Sequence, residues 1–306
     1  SPDHPDISRL LGEMARAWTH LDEPARAALL FEEAIGHFDA RGDGGSRGAM
    51  ILRFNYSNAL ENLGRVREAE RVLLALQDLM RVHAPDDPNL CKVMNNIGDN
   101  RRVQGRFEDA EAILMDAVAC KQRAYGADAQ TTGNSTLLLA DAMLAQGLTE
   151  GVAVLVDDGL RIRTAQFGED SPRLAYPLEL RGELRSQRGD HGGAVADLEH
   201  VIELRAGNGE DATLHYAQTW ERLGWAQARA GRPEASRVAF DRAFAAIRAG
   251  DVMSHPAALR LRVARLESHA RAGQPLPEAP SELLATVLAE APYRADLAAT
   301  LAGFQR

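Results

Sequence analysis

Val93-Met94-Asn95-Asn96-Ile97-Gly98 is followed, seven residues after Gly98, by Gly105-Arg106-Phe107-Glu108-Asp109-Ala110-Glu111. Gly105 belongs to a series. Gly64, Gly105, Gly147, Gly189, Gly231 and Gly273 succeed one another at intervals of 41, 42, 42, 42 and 42 residues. A period of this length belongs to an array of repeated structural units rather than to a single compact nucleus. Such arrays mostly work as surfaces, which points away from catalysis.

Alignment on the six glycines shows what each unit is made of. Seven residues before the glycine the chain is small at Ser57, Gly98, Ala140, Gly182 and Gly224, and Leu266 breaks the series. The first unit has Asp22 in the glycine slot and Ala15 seven before it. After the turn, offset 5 carries Ala27, Ala69, Ala110, Val152, Ala194 and Ser236, and offset 9 carries Phe31, Leu73, Leu114, Val156, Leu198 and Phe240. Offset 12 carries Ala34, Leu76, Ala117, Gly159, Val201 and Ala243. Offsets of 5, 9 and 12 lie on one helical stripe. The small residue on the preceding helix lets two backbones approach, and the large residue at offset 9 fills what remains. Each unit therefore reads as a helical hairpin closed by a glycine turn, since glycine tolerates positive φ after a helix.

Breakers separate the hairpins at His83-Ala84-Pro85-Asp86-Asp87-Pro88, Tyr125-Gly126-Ala127-Asp128, Phe167-Gly168-Glu169-Asp170-Ser171-Pro172 and Ser254-His255-Pro256. The expected class is all-α: one solenoid over 1–306 with hairpins at 5–40, 46–83, 88–124, 130–166, 171–206, 211–249 and 256–291. Pro275, Pro277 and Pro280 lengthen the last turn, and a helix near 293–303 caps the array. No hairpin buries its apolar face alone, so stability comes from stacking. Ser1-Pro2-Asp3-His4-Pro5-Asp6 reads as the tail of an inter-repeat linker, and the chain as a segment of something longer.

Composition narrows the function classes. The chain of 306 residues is 45% hydrophobic but only 5% aromatic, so Ala, Leu, Val and Ile must fill its core. A net charge of −9 argues against tracking nucleic-acid phosphates. No apolar run approaches the ~20 residues that cross a bilayer. The histidines have no metal-ligand spacing, and no H-E-x-x-H, C-x-x-C or G-x-S-x-G occurs, so neither metal, cofactor nor catalytic residues are expected.

The repeat resembles the tetratricopeptide repeat (TPR) in its 42-residue, kinesin-light-chain-like form, most clearly in the two segments quoted first and in Gly168-Glu169-Asp170-Ser171-Pro172. The resemblance implies a right-handed superhelix with a concave groove lined by the first helix of each hairpin. The paired Asn of this subtype is complete only at Asn95-Asn96; Phe54-Asn55, Leu137-Leu138 and Glu179-Leu180 stand elsewhere.

In this family groove residues sit about 13, 10, 6 and 3 before the turn glycine. Carried over, these positions give Arg9 and Arg16 in the first unit, Ile51, Phe54, Asn58 and Glu61 in the second, and Lys92, Asn95, Asp99 and Arg102 in the third. Asn134, Leu137, Asp141 and Leu144 follow, then Tyr176, Glu179, Glu183 and Ser186, then Gln218, Glu221 and Trp225. Basic and amide groups dominate early, carboxylates with Tyr176 and Trp225 later. A protein or peptide ligand with an acidic part near the early units and a basic or apolar part near Trp225 would match this gradient. Polar residues on a helix are more often a solvated face, and Trp225 equally suits packing against the next hairpin.

Cys91 lies 14 residues before Gly105 and Cys120 lies 15 after it. At 1.5 Å per residue they come to similar heights on antiparallel helices. Two readings stand: a disulfide, which suits an oxidising compartment, or two small buried thiols.

The expected function is a non-catalytic protein- or peptide-binding region. Similar arrays follow Ser/Thr kinase domains in bacterial proteins, which implies a sensor or scaffold. The array is periplasmic where such a kinase spans a membrane before it and cytoplasmic otherwise. The alternative is a regulatory array that senses a small molecule or signal peptide, for which a pocket closed by Tyr176 and Trp225 is expected.

Overall fold

The computed structural model describes residues 5–21, 23–169, 171–211, 213–250, 253, 256–291 and 294–304. Residues 1–4, the turn residue Asp22, Asp170, the breaker pair Ser254-His255 and the start of the expected cap at Tyr293 lie outside them. Two compact units arise, Ser1–Gly126 and Ala127–Arg306.

The first unit holds three hairpins: α1 (Pro5–His20) with α2 (Pro24–Ala40), α3 (Arg47–Asn62) with α4 (Val66–His83), and α5 (Asn89–Val103) with α6 (Phe107–Tyr125). The second unit holds α7 (Gln130–Ala145) with α8 (Val152–Phe167), α9 (Ala175–Gln187) with α10 (His191–Gly207), α11 (Leu214–Arg229) with α12 (Pro233–Ala249), and α13 (Pro256–Arg271) with α14 (Pro280–Glu290), then α15 (Ala295–Gly303). All fifteen helices are α, a single 3-10 turn precedes α9, and no strand occurs among the described residues. Within each unit successive helices pack on one another. In the second unit α7, α9, α11 and α13 also touch in series, so the first helices of these hairpins share a face.

The six periodic glycines close their hairpins in one way. Each has φ between 66° and 88°. Gly64 N–H donates to Glu61 O (2.9 Å) and Arg65 N–H to Leu60 O (2.8 Å). The same pair of bonds recurs at Gly105, Gly147, Gly189, Gly231 and Gly273. This is the Schellman arrangement, which satisfies orphan carbonyls at a helix end and needs a residue that accepts left-handed backbone. Glu23 N–H reaches Trp18 O in the first hairpin, the outer of the same two bonds.

The stripe at offsets 5, 9 and 12 is buried in every hairpin from the first to the sixth. Phe31, Leu73, Leu114, Leu198 and Phe240 are the large side chains at its centre. The facing small residue is a steric requirement: a Cβ on Gly98 would lie 2.5 Å from Leu114 Cγ, and one on Gly224 2.8 Å from Phe240 Cε2. Leu266 is tolerated because the turn lengthened through 274–279 delays α14. It packs there with Leu283 and Val287.

Candidate functional site

In the first unit the predicted face lies on α3 and α5. The Asn96 side-chain amide donates to Asn58 Oδ1 (3.1 Å) and that of Asn100 to Glu61 Oε1 (3.2 Å). Asn95 Oδ1 accepts from Lys121 Nζ (3.3 Å), and Arg102 donates to Asp99 (2.7 Å). Asn58, Asn95, Asp99 and Arg102 are half-buried and Lys92 is exposed. Arg16, on α1, is half-buried and pairs with Glu13.

Two groups here titrate away from their ordinary ranges. Burial, opposed by the Asn100 hydrogen bond and reinforced by Asp99, pushes the Glu61 carboxyl up to about 7. Burial and the neighbouring Lys92 charge push the Lys121 ammonium down to about 8.

Sharing Lys92 with this face, toward the N-terminal ends of α3 and α5, lies a cavity of about 290 Å³. Arg47, Met50, Ile51 and Phe54 of α3 line it, at the i, i+3, i+4, i+7 spacing of one helix face. Leu76 and Met80 of α4, Asp87 of the connecting loop and Asn89, Lys92 and Val93 of α5 complete the wall.

The second unit differs. The sequence reading treats Asp141, Glu183 and Glu221 as an open acidic wall, whereas their residues are only 5%, 8% and 4% exposed. Each is met by an arginine from a later first helix: Asp141 by Arg222 (2.7 Å), Glu183 by Arg229 (2.7 Å) and Glu221 by Arg260 (2.9 Å). Tyr176 Oη also donates to Asp141 (3.2 Å). Glu179 is held by Arg205 (3.0 Å) and Thr219. The Asp141, Glu179 and Glu183 carboxylates hold the Arg222 guanidinium above its usual range despite the cost of burying it. Buried carboxylates must be paired, so these residues are occupied in joining hairpins.

One further expectation is corrected. Leu137 and Leu144 are core residues, because Gly159 leaves room for Leu137 to turn inward. Asn134 accepts from Arg163 (3.0 Å), whose guanidinium lies over the Tyr176 ring at 5.9 Å. Trp225 takes the packing role: its ring meets Phe240 edge-on at 5.2 Å and carries Arg271 at 5.5 Å.

Sequence reading missed these partners, although the period contains the signal. Glu179 and Thr219 are 40 residues apart, Glu221 and Arg260 are 39, and Glu183 and Arg229 are 46. Asp141 and Arg222, 81 apart, span almost two periods. Groups about one period apart meet on adjacent first helices. Met50, Met80 and Asp87 gave no such signal, because their pocket arises where three helices and a loop converge.

Cys91 and Cys120 are joined by a disulfide between α5 and α6, with Cα atoms 5.5 Å apart. Lys92 and Lys121, the only lysines, directly follow them. No helix among the described residues is long and apolar enough to cross a membrane. No group of three or more metal-ligating side chains occurs among them.

No protein-family model matches the sequence, and no curated protein does. Solved structures do match. The TPR-like repeats of a kinesin light chain from Podosopora anserina share 17% identity at a TM-score of 0.55, over 67% of this chain and 98% of that one. A tetratricopeptide repeat protein from Parabacteroides merdae shares 10% identity at 0.56, over 97% and 99%. Rap protein, solved with Competence and Sporulation Factor, shares 12% identity at 0.60, over 96% and 78%. At these identities the likeness is one of fold: the hairpins of this chain have the tetratricopeptide-repeat fold, all-α among the described residues.

Proposed function

We propose that this chain is a non-catalytic scaffold whose first unit binds a protein or peptide on the α3–α5 face, through Asn58, Lys92, Asn95, Asp99 and Arg102. The observation that carries this reading is the contrast between the units. The corresponding carboxylates of the second unit are buried in ion pairs, whereas the face of the first retains an exposed Lys92, an exposed Ile51 and half-buried amides. Amides and charges of both signs suit a peptide, which offers a donor and an acceptor at every residue. Rap protein, a structural neighbour, was solved with a factor bound.

A narrower reading follows from the kinesin-light-chain-like repeat: the chain is the sensor or scaffold region of a larger bacterial signalling protein, with a Ser/Thr kinase as the expected parent. The disulfide favours an oxidising compartment, hence the periplasmic version. The reading frame flanking this segment tests that version. An upstream kinase domain with a membrane span supports it; a frame without either removes it.

Selection from a displayed random-peptide library tests the binding reading directly. Enriched peptides should bind the parent chain and lose at least about tenfold in affinity, ~1.4 kcal/mol, for K92E/N95A. Substitution of Arg248, exposed on α12, should leave them unaffected. No enrichment, or peptides indifferent to K92E/N95A, would refute the assignment of this face.

A further inference from the structure

We propose that the cavity between α3, α4 and α5 is a binding site for a small amphipathic carboxylate of the medium-chain alkanoate class, its chain among Met50, Phe54, Leu76, Met80 and Val93 and its head group at Arg47 and Lys92. This goes beyond the peptide-binding reading and does not depend on it.

Three observations carry the assignment. The first is the lining. Met50, Leu76, Met80 and Val93 are buried, Phe54 is half-buried, and Ile51, 45% exposed, stands at the rim. None of the buried side-chain polar atoms that lack a partner among the described residues belongs to this lining. A peptide backbone entering here would leave its N–H and C=O groups unpaired, whereas an alkyl chain needs no partner. Two methionines give the walls the adaptability that flexible chains require.

The second is size. About 290 Å³ is roughly ten times the ~30 Å³ share of a water molecule in the liquid. That is room for a chain of about eight to ten carbons.

The third is charge. Arg47 and Lys92 line the pocket and are exposed, and neither forms an ion pair among the described residues. The one carboxylate in the lining, Asp87, is turned to the start of α5, where its Oδ1 accepts from the Asn89 backbone and side-chain amides, both at 2.8 Å. The mouth is therefore net positive.

Isothermal titration of the full chain with hexanoate, octanoate, decanoate and dodecanoate, below their micellar concentrations, tests the site. One saturable site is expected. Affinity should rise about fourfold per added methylene and level off once the cavity is full. Decanol should bind about fivefold more weakly than decanoate, a difference that shrinks in high salt. R47Q/K92Q, at exposed positions, should reduce decanoate to the affinity of decanol, and I51E should weaken it further. Hydrogen exchange should show protection in 47–54 and 89–93. Absence of saturable binding, equal affinity for decanol and decanoate, indifference to R47Q/K92Q, or tighter binding of an apolar-ended peptide than of decanoate would each overturn the proposal. Peptides selected on the α3–α5 face without alkanoate binding would leave the scaffold reading intact and remove only this site. Alkanoate binding without selected peptides would do the reverse.

Discussion

Gly98 shows how much one atom decides in this fold. The site of its missing Cβ lies 2.5 Å from Leu114 Cγ and 3.1 Å from Ile113 Cγ2, so any side chain displaces the core of its hairpin. Gly98→Leu should cost about 1–3 kcal/mol, read as a lowered midpoint in urea; unchanged stability would mean that the hairpin crossing tolerates wider spacing. This constraint was legible in the sequence as a small residue seven before a turn glycine. The behaviour of Glu61 was not, because its burial depends on α5 laying Asn100 and Asp99 beside it. Its folded-state carboxyl, at about 7, binds its proton more tightly than the unfolded one, near its ordinary 4.5. The folded state is therefore favoured by this group below about pH 4.5, and the benefit is lost as pH rises to about 7. Glu61→Gln, which keeps an acceptor for Asn100, should stabilise the chain by about 1–3 kcal/mol at pH 8 and have little effect at pH 4. Equal effects at both pH values would show that Glu61 is not held protonated.

The hairpin is the element at which local rules and packing agree. A Schellman turn, a buried stripe and a small facing residue recur with little change, and each was readable because each repeats. The third hairpin adds a covalent tie. Its disulfide closes a separation of 29 residues, for which the chain-entropy account gives a stabilisation of about 2–4 kcal/mol. Thiol titration of the denatured, unreduced chain should find no free thiol, and reduction should lower the unfolding free energy by that amount. Two free thiols in protein prepared under oxidising conditions would remove both the tie and the argument for an oxidising compartment. The residue spacing brought the cysteines to one height; only the contact between α5 and α6 turned them toward each other.

At the scale of the whole chain, repetition gives two compact units, and the polar side chains of their first helices are used differently. In the second, Arg222 on α11 reaches Asp141 on α7 across the width of α9. Arg222→Met should therefore destabilise this unit by about 2–4 kcal/mol, since it takes the guanidinium away from a buried carboxylate. D141N/R222M should recover part of the loss, and a double-mutant cycle measures the coupling. Additive effects would mean that the pair does not link the hairpins. The sequence by itself determined the helices, the turns, the period and the stripe that binds each hairpin, because these depend on neighbours within about 20 residues and are written again in every unit. Tertiary structure alone decided which polar side chains of the first helices stay available. That depends on whether an arginine one or two periods away arrives at the same height, and charge in a sequence does not record where its partner stands. The pocket beside Lys92 is likewise a product of convergence: ten side chains from three helices and a loop enclose a space that none of them specifies.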